Sequence, residues 1–207
     1  MEKSDSDIRE IHKSRTNLLK QLKDLGYNTD EYDSIGFTEI HTMYKKNQLD
    51  MLLSDSEGKK IYVKYHLSKT LRQNNIDEMI EDLMTLENTL EKTDTILIII
   101  KDIPNDTINN MIKQIWVNQE IFVSVRGIKT LQFNIFEHVY VPKHEILTEE
   151  QVVEFKQRFN ITNDESIPEI SRYDPVALAL LMRPKQICKI TRQSRTAIKS
   201  DFYRICI

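Results

Sequence analysis

Hydrophobic residues in the first third of the chain follow a helical spacing and then a spacing typical of strands. Asp7 can cap a helix and Gly26 can end it, and the apolar positions between them recur every three or four residues, at Ile8, Ile11, Leu18, Leu19, Leu22 and Leu25. Residues 37–44 fit a helix and a strand equally well. Residues 49–53 and 61–66 flank a turn-forming Ser-Asp-Ser-Glu-Gly stretch, which predicts a β-hairpin.

The middle of the chain alternates between strand and helix patterns. The β-branched run at residues 96–100 predicts a strand that is buried on both faces, and residues 121–125 predict the next strand. Two helices are predicted by their apolar spacing, one at Ile76, Met79, Ile80, Leu83, Met84 and Leu90, the other at Ile108, Met111, Ile112, Ile115 and Trp116. Strands and helices joined by short links predict an α/β domain with a mixed sheet over residues 1–135.

Residues 136–207 are predicted to form a small, separate α+β domain. Thr148 and Gln151 make a capping box ahead of a helix. Asp174 followed by Pro175 predicts a second helix over residues 176–181, because a carboxylate can cap the first turn and proline suits the first helical position. Two short strands are expected after it. The apolar side of the first helix is predicted at Val152, Val153, Phe155 and Phe159.

Composition and charge exclude several classes of protein. The 207 residues are enough for two modest cores, and no apolar run approaches the roughly 20 residues that cross a bilayer. The first residues lack the pattern of a secretory signal. The chain has a net charge of -3 and so lacks the excess of basic residues that an autonomous nucleic-acid-binding protein carries. Cys188 and Cys206 are expected to be small buried thiols.

The sequence shows no pattern typical of a cofactor site. None of the five histidines has a cysteine or acidic partner at zinc spacing. Four glycines in the whole chain cannot build a phosphate-cradling loop, and no nucleophile stands beside a base. We therefore expect no metal, no cofactor and no catalytic site.

Short motifs in the last third carry a resemblance to a known family. They occur in one order and at workable spacings: Glu137-His138-x-x-Val141-Pro142-Lys143-His144, Ile167-Pro-Glu-Ile, Asp174-Pro-Val-Ala, Lys189-Ile-x-Arg, Ser194-x-Thr-Ala and Tyr203-Arg-Ile-Cys. Together they resemble the fifth, jaw subunit of the eukaryotic nuclear RNA polymerases, whose C-terminal part corresponds to a small subunit of the archaeal polymerase. The resemblance covers residues 138–207, and before that it is loose, with Gly26-Tyr27 after the first helix as a shared feature.

The resemblance implies a non-catalytic subunit of a multisubunit DNA-directed RNA polymerase. The C-terminal domain would dock on the largest subunit, and the N-terminal lobe would form part of the lower jaw beside the downstream duplex DNA. Other polymerase subunits are further expected partners, and a membrane is not. The implied partner-binding residues are His138, Pro142, His144, Asp174, Pro175, Lys189, Arg192, Ser194, Thr196, Tyr203 and Arg204.

A basic excess after residue 182 supports a docking role for part of this set. Seven basic residues stand there against the single acid Asp201, namely Arg183, Lys185, Lys189, Arg192, Arg195, Lys199 and Arg204. We expect Lys189 and Arg192 to take part in docking, because Arg can fork onto carboxylates. Lys185, Arg195 and Lys199 fit a solvated face equally well. His138, Pro142, His144, Asp174 and Pro175 are expected to be architectural first.

The family's jaw lobe presents a loop near DNA, which aligns with residues 102–107. Pro104, Asn105 and Thr107 are the implied DNA-proximal residues, and their uncharged donors would contact phosphate and sugar without reading sequence. Asp102 and Asp106 oppose this role because acids repel phosphate. A divergent polymerase of a large DNA virus would fit the drift from the family. The expected location is the nucleus for a cellular chain, and the virion and host cytoplasm for a viral one.

A nuclease is the alternative hypothesis, because lobes of this family resemble the restriction-endonuclease fold. That fold holds Mg²⁺ with an Asp and an acidic-x-Lys triplet. Asp50 and Lys64 fit two of these positions, but Tyr62 stands where the second carboxylate is needed. An independent nucleic-acid-processing protein with a nuclease-like lobe therefore remains the second hypothesis.

Two turns depart from the family pattern. The family has Gly before the Lys-x-x-Arg strand, where this chain has Pro184-Lys185-Gln186, and Gly after Thr-Ala, where it has Ile198. A glycine with positive φ is not freely replaced, so both turns are expected to be rebuilt.

Overall fold

The computed structural model describes residues 2–67, 70–87, 89–194 and 196–207, and of residues 2–5 the backbone alone. The chain divides into two compact units, one ending at Asn134 and one spanning Ile135–Ile207. Among the described residues, no helix has both the length and the apolar composition needed to cross a bilayer.

The predicted mixed sheet forms the centre of the first unit and has four strands. In the order β1-β2-β3-β4, they are β1 Met51–Ser54, β2 Lys60–His66, β3 Thr95–Ile100 and β4 Phe122–Gly127. The β1 and β2 strands form the predicted antiparallel hairpin, while β2, β3 and β4 run parallel. Every residue of β3 is buried, which confirms the prediction made from its β-branched run.

Helices cover both faces of this sheet. The helices of the first unit are α1 Glu2–Asp24, α2 Asp30–Asp33, α3 Phe37–Lys45, α4 Gln73–Glu81 and α5 Asp106–Gln119. The α4 and α5 helices bury one face, with Ile76, Ile98 and Ile112 in the shared core. The α1 helix lies against the other face, where Gln21 meets Arg126 of β4.

The structure corrects two helix predictions for this unit and resolves a third segment that was left open. The first helix begins at Glu2 rather than at Asp7, because its polar first turns continue the helix without burying apolar residues. Residues 37–44, which fitted either pattern, are helical. The α4 helix ends at Glu81 and continues as a π-helical turn, Asp82–Leu86, so Leu90 packs in the core from beyond the helix.

The second unit is built on another mixed sheet of four strands. Its elements are β5 Lys143–Ile146, α6 Glu149–Arg158, β6 Glu169–Ile170, α7 Pro175–Ala179, β7 Ile187–Ser194 and β8 Ile198–Cys206. The strand order is β5-β7-β8-β6. The β7 and β8 strands form a long antiparallel hairpin, β5 is antiparallel to β7, and β6 is parallel to β8.

Both predicted helix starts in this unit are confirmed. The Oγ1 of Thr148 accepts from the N–H of Gln151, and Asp174 caps α7. The α7 helix ends earlier than predicted, at Ala179, because Leu181 adopts a left-handed φ of +54°. The apolar side predicted for α6 is partly wrong, since Phe155 is buried while Val153 and Phe159 are exposed.

Candidate functional site

The sheet of the second unit has one face covered by α6. Phe155 of α6 packs there with Ile187 and Ile205, and its ring stacks on Tyr203 at a centroid distance of 4.2 Å. Side chains alternate between the faces of a strand, so Lys189 and Asp201 also lie on this α6 face. Tyr203, an implied partner-binding residue, is therefore part of the packing between α6 and the sheet.

Lys189 is engaged within the unit by an ion pair. Its Nζ lies 3.0 Å from Oδ2 of Asp201, and the hydroxyl of Thr191 donates to Oδ1 of the same carboxylate at 3.0 Å. The hydrogen bond to Asp201 raises the pKa of Lys189, and the same bond, with that from Thr191, lowers the pKa of Asp201. The positive charge of Lys189 is thus balanced inside the unit.

Arg192 lies on the opposite face of the sheet, with a different environment. Its guanidinium carbon is 3.3 Å from the centroid of the Phe202 ring, and Phe202 is 40% exposed. His144 and Ile190 form a cross-strand pair on the same face. We call these four residues the aromatic face. Because positions 189 and 192 differ by three along a strand, Lys189 and Arg192 do not form one surface.

Several of the other implied docking residues satisfy hydrogen bonds of the fold. Asp174 accepts from the N–H of Val176 at 2.8 Å, and Pro175 occupies the first position of α7. Arg204 donates to the backbone carbonyl of Glu169 at 2.8 Å and so ties β8 to β6. Burial raises the pKa of the neighbouring Cys206 thiol to about 11.

A tight turn before β5 exposes two residues that sequence reasoning missed. The N–H of Val141 donates to the carbonyl of His138 at 2.9 Å, and Nδ1 of His144 donates to the carbonyl of Pro142 at 2.7 Å. At the tip of this turn, Val139 is 93% exposed and Tyr140 is 89% exposed. Their signal in the sequence was a pair of apolar residues inside the His138–His144 motif, where only the flanking residues were considered.

The β7–β8 turn has Ile198 at the position where the family has glycine. The Oγ of Ser194 accepts from the N–H groups of Thr196 and Ala197, each at 3.3 Å. Ile198 then has φ +57°, and Lys185, at the other departure, has φ +71°. Both departures from the family's glycines therefore place a residue with a Cβ in a left-handed conformation. That the turns are rebuilt relative to the family stays a prediction. Arg195 lies outside the described residues.

In the first unit, the predicted DNA-proximal loop also begins a helix. The Oδ1 of Asn105 accepts from the N–H of Ile108 at 3.0 Å, which makes Asn105 the N-cap of α5. Asn105 and Thr107 are exposed and Pro104 is half-buried. The side-chain oxygen of Asn105 is thus engaged by the fold, and its amide nitrogen is the group that remains to act as a donor.

The residues considered for a nuclease site do come together. Oδ2 of Asp50 accepts from the hydroxyl of Tyr62 at 3.1 Å and pairs with Lys64, while Oδ1 accepts from the N–H of Tyr65 at 3.2 Å. Burial, and then the Asp50 charge, raise the pKa of Tyr62. Across the described parts of the chain, no three metal-ligating side chains are grouped. The nuclease hypothesis gains no support from this cluster, because a phenol occupies the position of the second carboxylate.

The second unit is therefore a small α+β module with an exposed aromatic and cationic face. Residues 133–206, almost the whole of this module, match the family model described as RNA polymerase Rpb5, C-terminal domain. The chain belongs to this family of RNA polymerase subunits.

Curated archaeal proteins support the same assignment. "DNA-directed RNA polymerase subunit Rpo5" of Archaeoglobus fulgidus is 39% identical over 77 residues, which are 37% of this chain and 100% of that protein. The protein of the same name from Thermococcus kodakarensis is 38% identical over 76 residues, which are 37% of this chain and 92% of that protein. The Nitrosopumilus maritimus subunit is 37% identical over 79 residues, 38% of this chain and 94% of the relative.

Proposed function

We propose that this chain is a non-catalytic subunit of a multisubunit DNA-directed RNA polymerase. One observation carries the proposal. Two archaeal Rpo5 subunits are matched over 100% and 92% of their length, and the family model of the C-terminal domain matches residues 133–206, which are nearly the whole second compact unit. A module that makes up an entire polymerase subunit in archaea is thus present here with its core and both helix caps intact.

The second unit docks on the largest polymerase subunit through the aromatic face and the Val139–Tyr140 turn. Arg and aromatic residues dominate the binding energy of protein interfaces, and exposed apolar residues mark such sites. Arg192 forms no ion pair with any described residue, so its guanidinium can receive a carboxylate of the partner while it stacks on Phe202. Lys189 contributes less, because Asp201 already balances its charge.

The first unit forms part of the lower jaw beside downstream duplex DNA. Its loop at residues 102–107 offers the amide of Asn105 and the hydroxyl of Thr107 as uncharged donors for phosphate and sugar. Contacts of this kind position a duplex without reading its sequence. The site of action follows the polymerase, namely the nucleus for a cellular enzyme, and the virion and host cytoplasm for a viral one.

Co-purification with an affinity-tagged largest subunit tests the docking surface. Arg192→Glu places a charge of the wrong sign on the aromatic face, and we expect at least a 30-fold loss of bound chain, in line with a hot spot of about 2 kcal/mol. Tyr140→Asp should weaken binding in the same direction. Lys189→Gln should leave most of the binding intact, and exposed Lys199 on the same hairpin supplies a matched control, Lys199→Gln.

Unfolding of each variant in isolation separates docking from folding. Arg192→Glu and Tyr140→Asp should unfold within about 0.5 kcal/mol of the unmodified chain, as expected for surface changes. Retention of the Arg192→Glu chain at the level of Lys199→Gln would exclude the aromatic face as the docking surface. Absence of the unmodified chain from the purified polymerase would overturn the proposed function itself.

A further inference from the structure

Two arginines are buried inside the first unit. Arg15 of α1 is 1% exposed and Arg126 of β4 is 4% exposed. Nη1 of Arg15 donates to the carbonyl of Leu49 at 2.9 Å, and Nη1 of Arg126 donates to Oε1 of Gln21 at 2.8 Å. Within the described residues, no carboxylate forms an ion pair with either guanidinium. A buried charge of this kind is costly unless an anion compensates it.

The donors of Arg15 are only partly used. Its Nε and Nη2 have no hydrogen-bond acceptor in the described part of the chain. Burial lowers the pKa of Arg15 and lowers that of Arg126 to about 10. The guanidinium group has so high an intrinsic pKa that arginine stays charged in proteins. The nearby hydroxyl of Tyr65 does not supply a negative charge, because burial raises its pKa to about 12.

A surface pocket of about 260 Å³ reaches Arg15 from outside. It opens between α1, α2 and α3, and its lining includes Thr16, Lys20, Lys23 and Tyr32. The guanidinium of Arg15 lies 5.5 Å from the centre of the Tyr32 ring. Lys20 is exposed and forms no ion pair with a described residue.

Charge in the pocket favours an anionic ligand. Three cationic side chains face a single carboxylate, that of Asp33. Oδ2 of Asp33 already accepts from the hydroxyl of Thr29 at 3.0 Å and lies 3.4 Å from Nζ of Lys23. Asp33 is thus engaged by Lys23 and Thr29, and among the described residues no carboxylate forms an ion pair with Arg15 or Lys20. A buried positive charge beneath a pocket, with ammonium donors around it, suits a tetrahedral oxyanion, since several oxygens can accept at once.

We propose that the pocket between α1, α2 and α3 binds a phosphate group, with Lys20 and Lys23 as its donors and the buried charge of Arg15 at its base. The group is either free phosphate or a backbone phosphate of nucleic acid, and the two share the same recognition chemistry. This inference does not depend on the proposed function, because it rests on the first unit alone.

Binding of inorganic phosphate to the full chain tests the proposal directly. Titration in a chloride buffer of constant ionic strength should give saturable binding by calorimetry, and the Nε–H resonance of Arg15 should shift in step. Lys20→Gln combined with Lys23→Gln should weaken binding at least fivefold. Lys13→Gln changes a lysine of the same helix outside the pocket and should leave the affinity unchanged.

A second titration distinguishes the two sources of phosphate. A short duplex DNA that shifts the Arg15 resonance, and is displaced by inorganic phosphate, identifies a backbone phosphate as the ligand. A shift with inorganic phosphate that duplex DNA does not compete for identifies free phosphate. Arg15→Met should abolish both, and the resonance measurement on the unmodified chain stands even if that variant does not fold. The proposal is overturned if neither probe moves the Arg15 resonance, or if Lys13→Gln weakens binding as much as the double variant.

Discussion

Replacement of Ile198 by glycine should stabilise the second unit. Ile198 has φ +57°, a left-handed conformation that costs a residue with a Cβ roughly 1–2 kcal/mol. Its side chain is 83% exposed, so its removal sacrifices little burial. Glycine loses more backbone freedom on folding, at a cost of about 0.5–1 kcal/mol. The difference predicts that Ile198→Gly raises the free energy of unfolding by roughly 1 kcal/mol.

Chemical and thermal unfolding of the full chain measure this gain. A change of about 1 kcal/mol raises Tm by about 4–8 °C if the second unit melts alone, and by about 2–4 °C if the whole chain melts in one transition. Ile198→Ala is the matched control, because it removes most of the side chain but keeps the Cβ that causes the strain. Equal stability of the Gly and Ala variants would refute the argument from φ.

Three further predictions concern single contacts of the two units. Asn105→Asp keeps the cap of α5 but adds a negative charge to the loop, so it should weaken binding of duplex DNA, measured by gel shift, without loss of stability. Asn105→Ala removes the cap and should lower the free energy of unfolding in urea by about 1 kcal/mol. Because the pKa of Asp201 is lowered from its ordinary value of 3.8, its ion pair stabilises the unit at pH values above 3.8, and this stabilisation is lost as the pH falls through the lowered pKa. Lys189→Gln should raise the pKa of Asp201, which an NMR titration of the carboxyl group can follow. An unchanged titration midpoint would contradict the ion pair. Burial raises the pKa values of Cys188 and Cys206. A thiol reagent at mildly alkaline pH should therefore label these cysteines only when the chain unfolds. Rapid labelling of the native chain would contradict their burial.

The elements that could be predicted from sequence have local causes. The strand at residues 96–100 follows from an unbroken β-branched run, and the starts of α6 and α7 follow from Thr148 and Asp174, whose side chains bond within their own first turns. The first helix begins earlier than predicted, because polar residues continue a helix without any apolar signal. The end of α4 in a π-helical turn depends on packing that no local pattern records.

The candidate sites were harder to predict because they depend on which side chains are already engaged. Lys189 and Arg192 have the same charge, and only the pairing of β7 with β8 shows that Asp201 engages Lys189 while Phe202 supports Arg192. Once both residues were assigned to one strand, their odd and even positions would have placed their side chains on opposite faces of the sheet. Arg15 gave no signal at all, since arginine is almost never fully buried without a partner.

Residues of the family motifs can be divided into those whose side chains bond within their own unit and those that remain available to a partner. Asp174 and Arg204 each satisfy a backbone group of their own unit, so folding alone explains why these residue types are needed there. Folding does not explain an exposed Tyr140 at the tip of a turn, or an arginine stacked on a half-covered Phe202, because each leaves apolar surface in water. Surface that the module does not need for its own stability is where a partner gains most on binding, and in this module that surface is the aromatic face and the turn before β5.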